Sequence, residues 1–492
     1  MGTSVFLRRS KGLALAAGCA AMLAACGGGG SSSGSGPATG GVTPAPSPTP
    51  TPTTAGCSLS ARKDWVKNQL NEWYLFPSLL DLSASQTANS SLEDYIDALV
   101  APARAQNRDR YFTYLTSIAE ENAYYQQGQV DASFGFRLGY DSSSNRVFVI
   151  EAFEGAPALA AGIDRGVEIV QIGGQAVSTL MAAGGPYSVI NALGADTVGL
   201  TRELVIRELS GTTRTVSLSK AVFALDPVSD RFGAKVIDDG GRKVGYLNLR
   251  TFIGTAEPDL RAAFADFKAQ GVTELIIDFR YNGGGLIAIA AFMGDLMAAG
   301  RRGQDFGYIT FRDSKSAENE TIGFDPQPES ITPTRVAFIG TSGTASASEM
   351  VINGMQPYLG TNMALIGSNT YGKPVGQIAL DRPDCDDRLR AIALKIENAN
   401  HQGEYYTGLA STVPNTCRAG DDIGHQLGDP NEAMVRTALD FLAGRSCTAI
   451  ASASATATAS ISGKVGTPAP QKNLLTPAQP RRATDLELPG VH

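Results

Sequence analysis

Three short apolar runs constrain this chain most: ELIIDFR at 274–280, RVAFIG at 335–340 and MALIG at 363–367. The first two have the continuous apolar centre of a strand covered on both faces. Between the runs lie segments that read as helices, from about 286 to 298 and from 345 to 358. Further elements flank them: a strand in VGYLNLRTF from 244, a helix over 258–269, a longer strand in RLRAIALKIE and an amphipathic helix over 429–442. This alternation predicts an α/β fold, with helices layered over a sheet.

The segment before this region has a different grammar. Residues 57–128 predict a small helical domain. SARKDWVKNQLNEWYL spaces Trp65, Leu70, Trp73 and Tyr74 at helical intervals, and Ser91 with Asp94 marks a second helix start. Residues 129–222 predict short strands in FGFRLGY, RVFVIEAF, VEIVQIGG and RELVIREL. Between the second and third strands lies a short helix over 157–161, with Pro157 at its first position, Gly162 as its cap and Gly166 turning into the next strand.

The two ends are not expected to fold. Arg8, Arg9 and Lys11 precede an apolar run over 12–25, too short to span a bilayer, so residues 1–25 read as a signal peptide. The run ends in Leu23-Ala24-Ala25-Cys26, which resembles a bacterial lipobox and makes Cys26 the candidate lipidation site. By resemblance to sorted lipoproteins, Gly27 after it favours the outer membrane, with a soluble periplasmic product as the alternative. Residues 26–56 are a Gly-, Ser-, Pro- and Thr-rich tether. Residues 448–492 are expected to be a disordered tail. A net charge of −7 argues against nucleic acid as a partner.

Cys57, Cys385, Cys417 and Cys447 lie outside the signal and the anchor, in an exported compartment that permits disulfides. No C-x-x-C pair suggests a metal, and no cofactor is implied. Of the three pairings possible, Cys385 with Cys417 and Cys57 with Cys447 is the favoured one, because the latter bridge ties the margins of the folded region.

Two turns where strands end carry the chemistry. One is Asp278-Phe279-Arg280-Tyr281-Asn282-Gly283-Gly284-Gly285, whose glycines allow tight turning and exposed N–H groups. The other is Gly343-Thr344-Ala345-Ser346-Ala347-Ser348-Glu349, where Ser346 and Glu349 fit a capping box. After the next strand comes Tyr371-Gly372-Lys373-Pro374-Val375-Gly376-Gln377. Strand–helix–strand geometry returns the chain to the same sheet end, so Lys373 is expected near Ser346. A serine hydroxyl needs a base, and a lysine serves only when desolvation keeps it neutral. The three histidines, His401, His425 and His492, fall in polar loops or the tail and offer no matching motif.

These residues resemble the C-terminal processing peptidases, or tail-specific proteases, of family S41. The resemblance spans about 130–442. It implies a layered ClpP/crotonase-like sheet-and-helix core at 223–447 and a PDZ-like β domain at 129–222. It assigns the nucleophile to Ser346 and the general base to Lys373, with Gln377 positioning the lysine. The oxyanion donors would be the N–H groups of Ala347 and of Gly284 or Gly285. Phe134, Gly135 and Phe136 match the PDZ loop that holds a peptide C-terminus while the peptide adds as a strand. The implied activity is acyl-enzyme hydrolysis of envelope polypeptides near a free C-terminus. Two positions depart from the family: the lysine lies 27 residues after the serine, and Pro374 replaces a glycine. The competing reading is a non-catalytic, PDZ-based envelope scaffold, which has no need of Ser346, Lys373 and Gln377 together.

Overall fold

The computed structural model describes residues 55–451 and 473–492. The signal, Cys26 and most of the tether therefore lie outside the described residues. A six-stranded sheet forms the centre, in the order Ala234–Asp239, Arg242–Asn248, Glu274–Asp278, Arg335–Gly340, Met363–Gly367, Thr416–Arg418. The first pair is antiparallel and the others are parallel. The three apolar runs are three adjacent strands of this sheet, buried almost throughout. Helix Ala433–Leu442 covers one face, packing Met434, Val435, Ala438 and Leu439 onto Ile276, Ala337, Ile339 and Ile366.

Parallel strands send their following turns to the same edge. Asp278 is in register with Ile339, and Gly340 with Gly367. The three motif-bearing turns consequently emerge side by side, where α/β sheets place their ligands.

A second, antiparallel sheet contains Asp387–Asn398, Val375–Arg382, Asp305–Phe311 and Glu320–Gly323. Its edge includes Tyr114–Ser117, a strand that the helical reading of 57–128 did not anticipate. The helices Leu59–Trp73, Leu92–Ala105 and Ile118–Gln127 do form. The segment is nevertheless joined to the α/β core through that strand.

A β module occupies the middle of the chain. Its entry strand Gln129–Ser133 pairs with its exit strand Ala221–Ala224. The antiparallel sheet between them contains Phe136–Asp141, Arg146–Ala152, Glu168–Ile172, Thr201–Arg207 and Thr213–Ser219. The short helix is Pro157–Ala160, with the proline at its start and Gly162 at φ 73° just beyond it.

Two expectations are corrected. The disulfides are Cys57–Cys385 and Cys417–Cys447, not the favoured pairing. The cause is topological: strand Thr416–Arg418 sits at the sheet edge beside the chain leaving helix Ala433–Leu442, and Arg418 N–H donates to Thr448 O at 2.7 Å. The tail is the second correction. Residues 473–492 are folded, with Asn473–Leu474 paired antiparallel to Phe136–Asp141 and a helix at Ala483–Glu487. Leu475, Ala483 and Leu488 are buried. Their burial supplies the apolar contact that an uninterrupted polar tail would lack.

Candidate active site

Ser346 caps helix Ala347–Leu359 with φ 55° and ψ −114°. A left-handed backbone at a non-glycine residue costs about 1–3 kcal/mol and persists only where its surroundings enforce it. Here the surroundings are specific. Ser346 N–H donates to Glu349 Oε2 at 3.1 Å. Asn282 O accepts from Ala345 N–H at 3.1 Å and from Ser348 Oγ at 3.0 Å. The glycine turn is thereby bolted to the serine turn.

Gly284 must be glycine for this approach. Its φ is 118°, and a Cβ there would lie 2.7 Å from Ser346 Cβ and 3.1 Å from Ala347 N. Gly284 N–H donates to Asn282 Oδ1 at 2.9 Å. Gly285, at φ 136°, lies against Phe252, whose carbonyl oxygen would be 2.4 Å from an added Cβ. The structure thus gathers Ser346, Ala347, Gly284 and Gly285 at one place.

Lys373 arrives from the third turn. Tyr371 N–H donates to Thr344 O at 2.9 Å, tying the lysine turn to the serine turn. Glu349 completes the connection. Its Oε2 accepts from both Ser346 N–H and Lys373 N–H, the latter at 2.7 Å. The two main-chain nitrogens are therefore no further apart than those two bonds allow. Its Oε1 accepts from Gly372 N–H at 2.7 Å and Thr370 Oγ1 at 2.6 Å. Burial pushes the Glu349 carboxyl above its ordinary value, and these four donors oppose the rise without cancelling it.

Lys373 Nζ donates to Gln377 Oε1 at 2.8 Å and lies 4.6 Å from the centre of the Phe112 ring. Gln377 Nε2 in turn donates to Phe112 O. Burial lowers the lysine to about 8, against the opposing charges of Glu487 and Asp109. Among the described residues, no hydrogen bond joins Lys373 Nζ to Ser346 Oγ. Asp278 and Arg280 lie beneath the turn as a buried pair, with Arg280 also bonded to Glu432 at 2.8 Å.

Comparison with known proteins finds similarity over this part of the chain. The profile of peptidase family S41 matches residues 243–405, which contain Ser346, Lys373, Gln377 and the glycine turn. The similarity to peptidase family S41 is carried by this stretch. A carboxyl-terminal-processing protease from Picosynechococcus is 26% identical over 309 residues, covering 63% of this chain and 69% of the relative. The chloroplastic C-terminal processing peptidase of Tetradesmus obliquus is 30% identical over 268 residues, covering 51% of this chain and 53% of the relative. The chain therefore spans between about half and two thirds of these relatives. Among solved structures, a candidate S41 protease from Bacteroides fragilis superposes with a TM-score of 0.62 at 24% identity, covering 77% of this chain and 97% of that one. That likeness concerns the fold.

The candidate site also includes residues that the sequence alone did not assign to it. Phe112 packs over the lysine. Arg110 donates to Tyr371 O at 3.1 Å and to Gly372 O, holding the lysine turn from the N-terminal segment. Glu349, read as a cap, is the junction of the serine and lysine turns. Its position in the serine motif was the available signal for that role. Glu487 carries no such signal, because it lies in the segment read as disordered. It is half-buried, its carboxyl is pushed up to about 7 by desolvation, and Tyr125 Oη donates to it. A cavity of about 520 Å³ lies here, lined by Lys373, Phe112, Gly283 and Gly343 on one side and by Leu474 and Leu486 on the other.

The main-chain N–H groups of Phe134, Gly135 and Phe136 also converge. All three donate to His492 O, at 3.1, 3.1 and 3.5 Å. Phe148 to Glu151 stay within a buried strand, as read from the sequence.

Proposed function

We propose that the protein is a serine endopeptidase in which Lys373 is the base for Ser346. The observation that carries this reading is the shared carboxylate of Glu349, which holds the main chain of both residues, together with a lysine buried enough to titrate at about 8. A neutral amine at that position can take the Ser346 proton near physiological pH, whereas an ordinary lysine stays protonated. Gln377 accepts one hydrogen bond from the amine and orients it.

Ser346 Oγ then attacks a peptide carbonyl. The oxyanion meets Ala347 N–H and an N–H of Gly284 or Gly285, a donor set whose members are each worth about 3 kcal/mol in serine hydrolases. The lysine returns its proton to the leaving amine, and water, activated by the same amine, deacylates Ser346. The substrates are polypeptides cut near their C-termini, held by the β module acting as a PDZ-like domain through Phe134, Gly135 and Phe136. A lipid on Cys26 and the tether over 26–56 would keep the enzyme on the periplasmic side of the envelope. Among the described residues, no helix is long and apolar enough to cross a membrane. The proposed domain limits remain 57–128, 129–222 and 223–447.

The test is Ser346→Ala. It is expected to abolish hydrolysis of an unstructured peptide while leaving the unfolding transition in place. Undiminished hydrolysis by this variant would remove Ser346 from the mechanism.

A further inference from the structure

The last described segment lies across the features just assigned to substrate. Asn473 and Leu474 pair with Tyr140 and Gly139, and Leu475 N–H donates to Leu138 O at 2.9 Å. The segment then leaves the strand, forms helix Ala483–Glu487 and returns to the same edge. On its return, Gly490 O accepts from Leu138 N–H at 2.8 Å, Val491 bridges Arg137 antiparallel, and His492 N–H donates to Phe136 O at 3.0 Å. His492 O fills the cradle of three N–H groups. This is the hydrogen-bonding pattern of an added strand, made by the chain itself.

Between the two strand contacts, the segment reaches the catalytic turns. Gly283 N–H donates to Glu487 O at 3.0 Å. A Cβ on Gly283 would lie 1.8 Å from Leu486 O, and one on Gly343 would lie 2.6 Å from Leu474 Cδ1. The glycine turn and the serine turn are thus both in van der Waals contact with residues of this segment. Glu487 places a carboxylate within electrostatic reach of Lys373, where it favours the protonated amine over the base.

Its anchors are apolar and its ion pairs peripheral. Leu475 joins the core of the β module, and Ala483 and Leu488 join a cluster with Tyr124, Phe153 and Ile253. Arg482 pairs with Asp131 and Asp196 at 3.0 and 2.8 Å, but these groups are about one third exposed and hold little. Ala, Ser, Thr and Gly dominate the preceding stretch, 452–472.

We propose that residues 473–492 are an intramolecular occupant of the peptide channel. They hold the free strand edge, the amide cradle and the approach to Lys373 together, so that a substrate polypeptide enters only as this segment leaves. The inference rests on the peptidase reading for its consequence but not for its binding geometry. It also defines the substrate. A polypeptide that replaces the segment must offer an extended backbone to Phe136–Asp141 and an apolar residue at the place of Leu488, four positions before the residue held in the cradle.

The experiment uses the full chain with a site for a specific protease introduced within 452–472. The chain is cut after folding and washed. Two readouts are taken: fluorescence anisotropy of a labelled synthetic peptide of sequence 473–492, and hydrolysis of a quenched unstructured peptide. The intact chain is expected not to bind the labelled peptide at concentrations that saturate the cut chain. Hydrolysis should rise at least tenfold after cutting and washing, and fall again when the synthetic peptide is added. Leu488→Asp in the uncut chain, which puts a carboxylate in the apolar cluster, should likewise open the channel to the labelled peptide. Equal peptide binding before and after cutting overturns the proposal, as does a segment that stays stoichiometrically bound after the cut. If binding differs but neither form hydrolyses peptide, the occupant stands and the peptidase reading falls.

Discussion

Replacing Glu349 tests whether one carboxylate assembles the site. Glu349→Ala removes the acceptor for three main-chain N–H groups, those of Ser346, Gly372 and Lys373, and for the Thr370 hydroxyl. A buried donor left without a partner costs about 1–3 kcal/mol. Thr370 Oγ1 can turn toward another acceptor, so the loss is counted on the N–H groups alone, about 3–9 kcal/mol. The upper part of that range approaches the whole stability of a typical domain, about 5–15 kcal/mol. Relief from burying a charge offsets part of it, which places the expected loss toward the lower end. Glu349→Gln separates the contributions. Its single oxygen can stay on Ser346 and Lys373, while its amide nitrogen faces Gly372 N–H and a hydroxyl that can reverse to accept. One N–H is orphaned, about 1–3 kcal/mol. Urea unfolding followed by the fluorescence of Trp65 and Trp73 measures both variants, at unchanged slope. Peptide hydrolysis should fall far more in the alanine variant than in the glutamine one. An alanine variant within 1 kcal/mol of the parent chain, a figure at the bottom of the single-donor range, would refute the argument. Equal losses in both variants would show that charge, not acceptor count, is what matters.

Other expectations follow from the same geometry. Because Lys373 must be neutral to accept a proton and is lowered to about 8 by burial, kcat/KM should rise with pH and level off above that value. Removing the opposing charge by Glu487→Gln should move the rise to lower pH; a flat profile between pH 6 and 9, a window bracketing that value, would argue against a lysine base. Gly284→Ala forces a Cβ to 2.7 Å from Ser346 Cβ at a φ of 118°, so hydrolysis should drop more than tenfold and stability by about 1–3 kcal/mol. Parallel rate and unfolding measurements check this. Peptide mapping without reductant should recover Cys57 with Cys385 and Cys417 with Cys447, and the double variant Cys57→Ser/Cys385→Ser should lose about 2–4 kcal/mol.

The sequence by itself determined the α/β layering and the position of the three motif-bearing turns. Runs such as RVAFIG and MALIG are apolar on both faces, and that property is local; the strands formed at Arg335–Gly340 and Met363–Gly367. Strand–helix alternation then obliges successive turns to share a sheet edge, which is how Ser346, Lys373 and the glycine turn were legible before any coordinates. Contacts between elements distant in sequence were not legible. Phe112 meets Lys373 because the strand Tyr114–Ser117 joins the second sheet beside Asp387–Asn398, a pairing that no local pattern encodes. Cys385 pairs with Cys57 rather than Cys417 for the same reason: spacing limits which cysteines can meet, and only the packed chain decides which do. The segment 473–492 is the clearest case. Its composition lacks the periodicity of a self-sufficient element, and its order comes from an edge strand, an amide cradle and apolar hollows belonging to the rest of the chain. Tertiary structure alone placed Glu487 within electrostatic reach of Lys373, because the contacts that fix it there are supplied by residues hundreds of positions away.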